Sequence, residues 1–275
     1  MDFTDEQIER YARHIVLKEV GGAGQQRLLR SKVLVIGAGG LGCPLVMYLA
    51  AAGVGTIGVV DDDVVSLSNL QRQIAHATAR IGAPKTASAA ATVAALNPDI
   101  RVVEHATRLS ADNALDLIAA YDLVADGSDN FATRFLVNDA CFLAKKTLVT
   151  AAIAQFDGQL ATFKPYQEGD HPCYRCLFRE APSGDFDESC ARDGILGALA
   201  GVLGSLQAVE VLKELLGIGS SLSGSLTIYD GLDGRFHRMS AHRDPGCPLC
   251  GVNPAIGDLS IHRWRAPQAA PAEVT

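Results

Sequence analysis

Two sets of residues in this chain have the types and spacing to do chemistry. The first begins at VLVIGAGGLGC, Val33 to Cys43, an apolar run that enters a glycine-rich turn. Gly37, Gly39 and Gly42 match G-x-G-x-x-G. In that pattern the first glycine makes a tight turn, the second lets phosphate approach the backbone, and the third lets helix pack on strand. About twenty residues on, Asp61 in VVDDD stands where a ribose-binding carboxylate belongs. Arg72 in SNLQRQ and Lys85 in GAPK then bring two cations toward the turn. That suits a triphosphate better than a pyrophosphate bridge. ADGSDN adds Asp126 and Asp129, and a carboxylate beside phosphates is a usual holder of Mg²⁺.

The second set is made of cysteines. HPCYRC carries Cys173 and Cys176, and GCPLCG carries Cys247 and Cys250. Two C-x-x-C pairs can close a tetrahedral thiolate site of the structural zinc kind, with no coordination position left open for catalysis. Their long separation means that a metal would clip two distant segments together, where a crosslink constrains the unfolded chain most. A redox pair is disfavoured because neither pair reads as starting a helix after a strand. Cys43 and Cys141 have apolar neighbours and read as core. Cys190, in GDFDESCARDG, precedes a long predicted helix. A helix N-terminus and Arg192 favour its thiolate, whereas Asp187 and Glu188 oppose it, so nucleophile and incidental thiol both stand.

These residues need elements to position them. Thr4 and Gln7 form a capping box for a first helix over TDEQIERYARHIVL, and a second helix covers Gln25 to Leu29. KVLVIG, TIGVVD, IRVVEH, DLVAD and TLVTAA read as strands. Between them lie helices after Leu41, from Pro84, over Ala111 to Ala120, and over Asn130 to Ala144. Such alternation predicts a parallel sheet covered on both faces. Beyond Ile153, AQFDGQLATFKP continues the strand or pairs with its neighbour through a turn at Asp157-Gly158. Tyr166 to Asp193 reads as a long functional loop. A helix from Leu196 to Leu216, capped by Gly217, leads to two short strands, SLTIYDG and RFHRMS. The expected fold is therefore α/β and Rossmann-like: a mostly parallel sheet, antiparallel strands added C-terminally, and a four-cysteine zinc site. A single domain spans 1–251, with N-terminal helices in 1–31, a nucleotide-binding core in 32–153 and a carrier-binding and zinc part in 154–251. A disordered tail is expected over 252–275.

Composition removes several classes. The chain has 275 residues, 48% of them hydrophobic, and a net charge of -7, which opposes general affinity for nucleic acid. No signal peptide is expected from MDFTDEQIER, and the apolar run Gly194 to Leu206 is too short to span a membrane, so a cytoplasmic protein is expected. A dehydrogenase would need an acid/base group at its hydride site. The seven histidines are scattered, with His14, His76 and His105 reading as exposed or packed side chains.

Taken together, RYARHIVL, GAGGLGCP, DDDVVSLSNLQRQ, GAPK, DGSDN, the cysteine pairs and LGSLQAVEVLK resemble the MoeB/ThiF/HesA group, bacterial relatives of ubiquitin-activating enzymes. The resemblance runs from about Glu9 to Gly251. It implies ATP-dependent adenylylation of the C-terminal glycine of a ubiquitin-like sulfur carrier, releasing pyrophosphate and priming a thiocarboxylate used for molybdopterin or the thiamine thiazole. It also implies roles: Gly40 at the phosphate turn, Asp61 on the ribose, and Ser68, Asn69, Leu70, Gln71, Arg72 and Lys85 along the nucleotide. Asp129 would bind Mg²⁺, with Asn130 beside it. Arg13, in RYAR, would reach a neighbouring subunit's ATP site, which implies a homodimer. Cys190 matches a loop cysteine that joins sulfur transfer in some relatives, and the short remainder after Gly251 implies a separate sulfur donor. Rival readings are an ATP-dependent enzyme acting on another carboxylate or a tRNA base, and a NAD-binding oxidoreductase.

Overall fold

The computed structural model describes residues 3–180 and 194–263. Its frame is one eight-stranded sheet, in the order β3-β2-β1-β4-β5-β6-β7-β8. Strands β1 (Lys32–Ile36), β2 (Thr56–Val60), β3 (Arg101–His105), β4 (Leu123–Asp126) and β5 (Thr147–Ala154) run parallel. Strands β6 (Asp157–Phe163), β7 (Ser225–Asp230) and β8 (Arg235–Ser240) extend it antiparallel. The expected mixed α/β architecture is observed.

The central parallel strands β1, β2 and β4 are mostly apolar because both of their faces are buried, whereas the edge strand β3, RVVEH, is only half-buried. In β1, Val33 and Val35 enter one core while Leu34 and Ile36 enter the other. The first core is closed by α3 (Gly42–Ala52), α4 (Lys85–Leu96) and α8 (Gly197–Leu216). The second is closed by α5 (Ala114–Ala119), α6 (Phe131–Leu143) and the single turn α7 (Tyr174–Leu177). Helices α1 (Asp5–Ile15) and α2 (Gly21–Arg30) sit at the end where strands begin. There Asn97 Nδ2 donates to the Tyr11 hydroxyl at 2.9 Å, and Gln25 Nε2 donates to the Ala52 carbonyl at 2.9 Å. The Thr4–Gln7 capping box is formed.

Several local expectations are corrected. The β5–β6 turn is Gln155-Phe156, with Ala154 paired to Asp157, so Asp157 and Gly158 belong to β6. Gln155 takes a φ of 50°, a left-handed conformation that no glycine advertises in the sequence. The helix expected over Ala111 to Ala120 is only Ala114–Ala119, and α2 is longer than Gln25 to Leu29. Contrary to the expected tail from Val252, residues 252–263 are placed against the fold, with Ile256 and Leu259 buried. The rest of that segment lies outside the described residues.

Candidate active site

Where β1 and β4 lie side by side, the crossovers leave in opposite directions, and an open α/β sheet binds ligands at that point, beyond the strand carboxyl ends. A cleft of about 410 Å³ lies there. Its floor is the glycine turn. Gly37 has a φ of +89°, and a Cβ on Gly42 would stand 1.9 Å from the Gly37 carbonyl oxygen, so neither position accepts a side chain. Helix α3 starts directly from this turn with no side-chain cap, which leaves N–H donors and the positive end of its dipole open at the cleft.

Asp61 follows β2. Its Oδ2 accepts from the Ala38 N–H at 2.7 Å and its Oδ1 from the Asp63 N–H at 2.9 Å. Burial pushes its carboxyl up from the ordinary range, although Lys85 opposes this. Lys85 begins α4 and is brought in by an antiparallel bridge between Val64 and Pro84. Its Nζ donates to the exposed Asp63 carboxylate at 2.8 Å. Arg72 lays its stem about where a Gly40 side chain would extend, 3.5 Å from the position of a Cβ there, while Ala200 of α8 confines Gly40 from another side. Its Nη1 has one long bond, 3.4 Å, to the Ser68 carbonyl.

Asp129 and Asn130 enter the cleft after β4. Asp129 is exposed, whereas the Asn130 side chain caps α6 by accepting from the Thr133 N–H at 2.8 Å. Asp126 is different. It is fully buried and accepts from Ser128 N–H at 3.0 Å and Thr150 Oγ1 at 3.2 Å. As the last residue of a central strand it shapes the turn beneath the cleft and offers nothing to an ion above it.

Of the expected residues, Gly37, Gly39, Gly40, Asp61, Arg72, Lys85, Asp129 and Asn130 line the cleft. Gly42, Ser68, Asn69, Leu70 and Gln71 are not part of its lining, although Asn69 Oδ1 accepts at 3.1 Å from Nε2 of Gln73, which is. Arg13 is exposed on α1, at the opposite end of the strands, so it is not brought to its own chain's cleft. Cys190 lies outside the described residues. The sequence reading missed Asp63, Gln73, Arg134 and the Thr107–Leu109 turn, all of which line the cleft. Asp63 and the Thr107–Leu109 turn lie just past a parallel strand and Gln73 beside Arg72, whereas Arg134 comes from the first turn of α6. Gln73 Oε1 is buried with no hydrogen-bond partner, a polar atom left over for a ligand.

The four paired cysteines converge elsewhere. Their sulfurs all lie within 4.8 Å of one another, at 3.6 Å for Cys173–Cys247, 3.4 Å for Cys176–Cys250 and 3.5 Å for Cys173–Cys250. A tetrahedron with Zn–S bonds of about 2.3 Å has edges of about 3.8 Å. The donor set thus fits zinc with a slight outward movement, and it is far too open for disulfides. Hydrogen bonding from Cys173, above all, lowers the Cys176 thiol to about 7. Cys173 is the N-cap of the single turn α7, ten residues past the end of β6, so the pair does not start a helix directly after a strand, as expected. The cluster packs on Phe142 near the end of α6, roughly 18 Å along that helix from Asn130 at 1.5 Å per residue.

Residues 11–249 match the ThiF family. The chain belongs to that family. It is 49% identical over 261 residues to a sulfur carrier protein adenylyltransferase of Thermus thermophilus, covering 94% of this chain and 96% of that one. It is 49% identical over 245 residues to the SAMP-activating enzyme E1 of Haloferax volcanii, covering 89% of each. Adenylyltransferase and sulfurtransferase MOCS3 of Sus scrofa is also 49% identical, over 93% of this chain but 56% of its own length. Similarity of this extent to named adenylyltransferases supports an enzyme of that kind. Among solved structures, Escherichia coli MccB with ATP matches with a TM-score of 0.72 at 24% identity, over 82% of this chain and 68% of that one, which establishes a shared fold. Among the described residues no helix is long and apolar enough to cross a membrane.

Proposed function

We propose that this ThiF-family enzyme uses ATP and Mg²⁺ to adenylylate the C-terminal glycine of a ubiquitin-like sulfur-carrier protein. The carrier carboxylate attacks the α-phosphorus, the bond to the β-phosphate oxygen breaks, and pyrophosphate leaves, so the acyl-adenylate is primed for thiocarboxylate formation. The observation that carries this reading is the convergence of Lys85, Arg72 and Asp129 on the uncapped start of α3.

The chain's own groups account for the chemistry. Attack brings two anions together, so preorganised donors and cations lower the barrier. Turn N–H groups face the phosphates, Lys85 exchanges Asp63 for phosphate oxygens, and Arg72 reaches across Gly40. Asp61 holds the ribose hydroxyls. Mg²⁺, held by Asp129, would neutralise charge developing on the transferred group. No general base is required, because a carboxylate is already ionised at neutral pH. A Gly-Gly tail can come close to the nucleotide past Ile153 and Ile195, since it carries no side chains.

The reading extends to a homodimer in which Arg13 completes the neighbour's site, to structural zinc in the four-cysteine cluster, to a separate sulfur donor, and to Cys190 acting either as a nucleophile in sulfur transfer or as an incidental thiol. It favours a cytoplasmic setting without membrane or nucleic-acid partners. The primary test is ATP–pyrophosphate exchange with a purified Gly-Gly-ending carrier: exchange should need the carrier and vanish when its last glycine is removed. Carrier-independent exchange would refute the assignment. For Arg13, mixing Arg13→Ala with Asp129→Ala subunits should restore part of the activity that each lacks; no recovery after verified subunit exchange would place Arg13 outside the neighbour's site.

A further inference from the structure

His76 is a buried imidazole that the mechanism above does not use. Its Nε2 lies 2.9 Å from the carbonyl oxygen of Ala38, in the middle of the glycine turn, and its Nδ1 lies 2.9 Å from Ser88 Oγ on α4. A carbonyl can only accept, so Nε2 carries the proton, and in the neutral ring Nδ1 accepts from the Ser88 hydroxyl. Burial lowers the ring's pKa and keeps it in that neutral form. Asp61 holds the same residue from its other side through the Ala38 N–H.

The direction of that carbonyl has a consequence one atom further on. The peptide joining Ala38 to Gly39 is trans and planar, so its C=O and N–H point in opposite directions. With the oxygen drawn inward to His76 at 2.9 Å and, more weakly, to the Cys43 thiol at 3.3 Å, the Gly39 N–H is turned outward, and Gly39 lines the cleft. No protein group among the described residues accepts from that N–H. Glycine at 39 makes the peptide easy to flip, because it tolerates backbone conformations on both sides of φ = 0. A flip would present a carbonyl oxygen where a phosphate is to bind.

We propose that His76 is a positioning residue that locks the Ala38–Gly39 peptide in its donor-outward orientation and thereby sets affinity for the nucleotide's phosphates. The proposal rests on the ATP-binding reading given above. It is framed for phosphate, since the hydrogen bonds of His76 go to Ala38 and Ser88 and not to Asp61 or the Thr107–Leu109 turn.

The test compares His76→Gln, which puts an amide N–H near the place of Nε2, with His76→Asn, whose shorter side chain reaches only the place of Nδ1. Dissociation constants for Mg·ATP and for adenosine are measured by equilibrium dialysis, with wild type and both melting temperatures alongside. His76→Gln should bind Mg·ATP within about threefold of wild type and His76→Asn at least tenfold more weakly, while all three bind adenosine alike. His76→Phe adds the full loss of both bonds where it folds, and the Gln/Asn pair decides the matter where it does not. Undiminished Mg·ATP binding by His76→Asn, equal weakening in Gln and Asn, or parallel loss of adenosine would each overturn the lock. Wild type that fails to bind Mg·ATP would instead overturn the reading beneath it, so the two failures are distinguishable.

Discussion

The cleft over the glycine turn and the cysteine module are built by the same device, short polar segments drawn together from distant parts of the chain, but they treat their polar atoms in opposite ways. In the module every strong group is matched. Asp139, fully buried on α6, accepts from Arg175 Nε at 2.8 Å and Nη2 at 2.7 Å, and pairs with His262 Nε2 at 2.7 Å. Arg243 Nε donates to the Cys250 carbonyl at 2.9 Å. In the cleft, Arg72 holds one long bond, Lys85 leans on an exposed carboxylate, and α3 starts uncapped. Saturated polarity fixes segments in place, whereas a deficit of partners leaves groups for a ligand to satisfy.

The largest test of this contrast is removal of the metal. Structural zinc contributes about 10–16 kcal/mol in small zinc-dependent folds. Wild type should hold one zinc per chain by elemental analysis, and Cys247→Ser should lose it with a large fall in melting temperature, while folded molecules keep their exchange activity at low temperature. Stable wild type without zinc would break the comparison at once.

Next comes Asp139→Ala, which leaves Arg175 a buried cation without its carboxylate and should cost about 3–5 kcal/mol in denaturant unfolding. A pH series sharpens it. Burial raises the Asp139 pKa, but hydrogen bonds from His262 and Arg175 outweigh burial, and the carboxyl ends below its ordinary value. Its stabilisation is therefore full above about pH 4 and lost as pH falls through the depressed value. Wild type should lose stability below about pH 4 more steeply than Asp139→Asn. Parallel curves would show that the ion pair is inert.

Arg72→Ala and Lys85→Ala should show the reverse profile. Each is expected to slow carrier-dependent exchange by about 10²–10³, with a smaller loss of stability for the half-buried Arg72 than for Lys85, whose side chain is buried. A variant that melts early but reacts normally would belong with the module. The smallest effect falls on Asn130, whose side-chain oxygen serves the α6 cap. Asn130→Ala should lose about 1 kcal/mol of stability, and Asn130→Asp should recover it.

Much of this contrast was legible in the sequence. Glycine spacing, apolar strands and doubled C-x-x-C pairs each reflect a local constraint, and local constraints leave local signatures. The unread parts depend on tertiary placement. VVDDD offers three adjacent carboxylates, and only the Val64–Pro84 bridge decides that Asp63 meets Lys85. Asp126 looked as available as Asp129 until β4 was seen in register with Ile36 and Thr150 on both flanks. The segment after Val252 has too few apolar residues for a periodic pattern, yet Ile256 and Leu259 find cover and His262 finds a buried carboxylate. The β5–β6 turn hid because left-handed backbone was carried by glutamine.

Helix α8 gives the molecule an order of assembly in time. Leu199, Leu203, Val211 and Leu215 close the same core that Val35, Leu45 and Leu49 begin, and Gln207 Nε2 caps the carbonyls of Asp126 and Val149 at 2.9 and 3.0 Å. On the ribosome the strands that carry the cleft emerge first with α3 and α4, leaving uncovered the part of that core that α8 closes, and about fifty residues separate Phe163 from Leu216. At 5–20 residues per second, translation leaves that face open for roughly 3–10 s. A nascent chain halted after Phe163 should therefore remain protease-sensitive and accessible to chaperones, and one extended through Gly217 far less so, as pulse proteolysis of stalled ribosomes can establish.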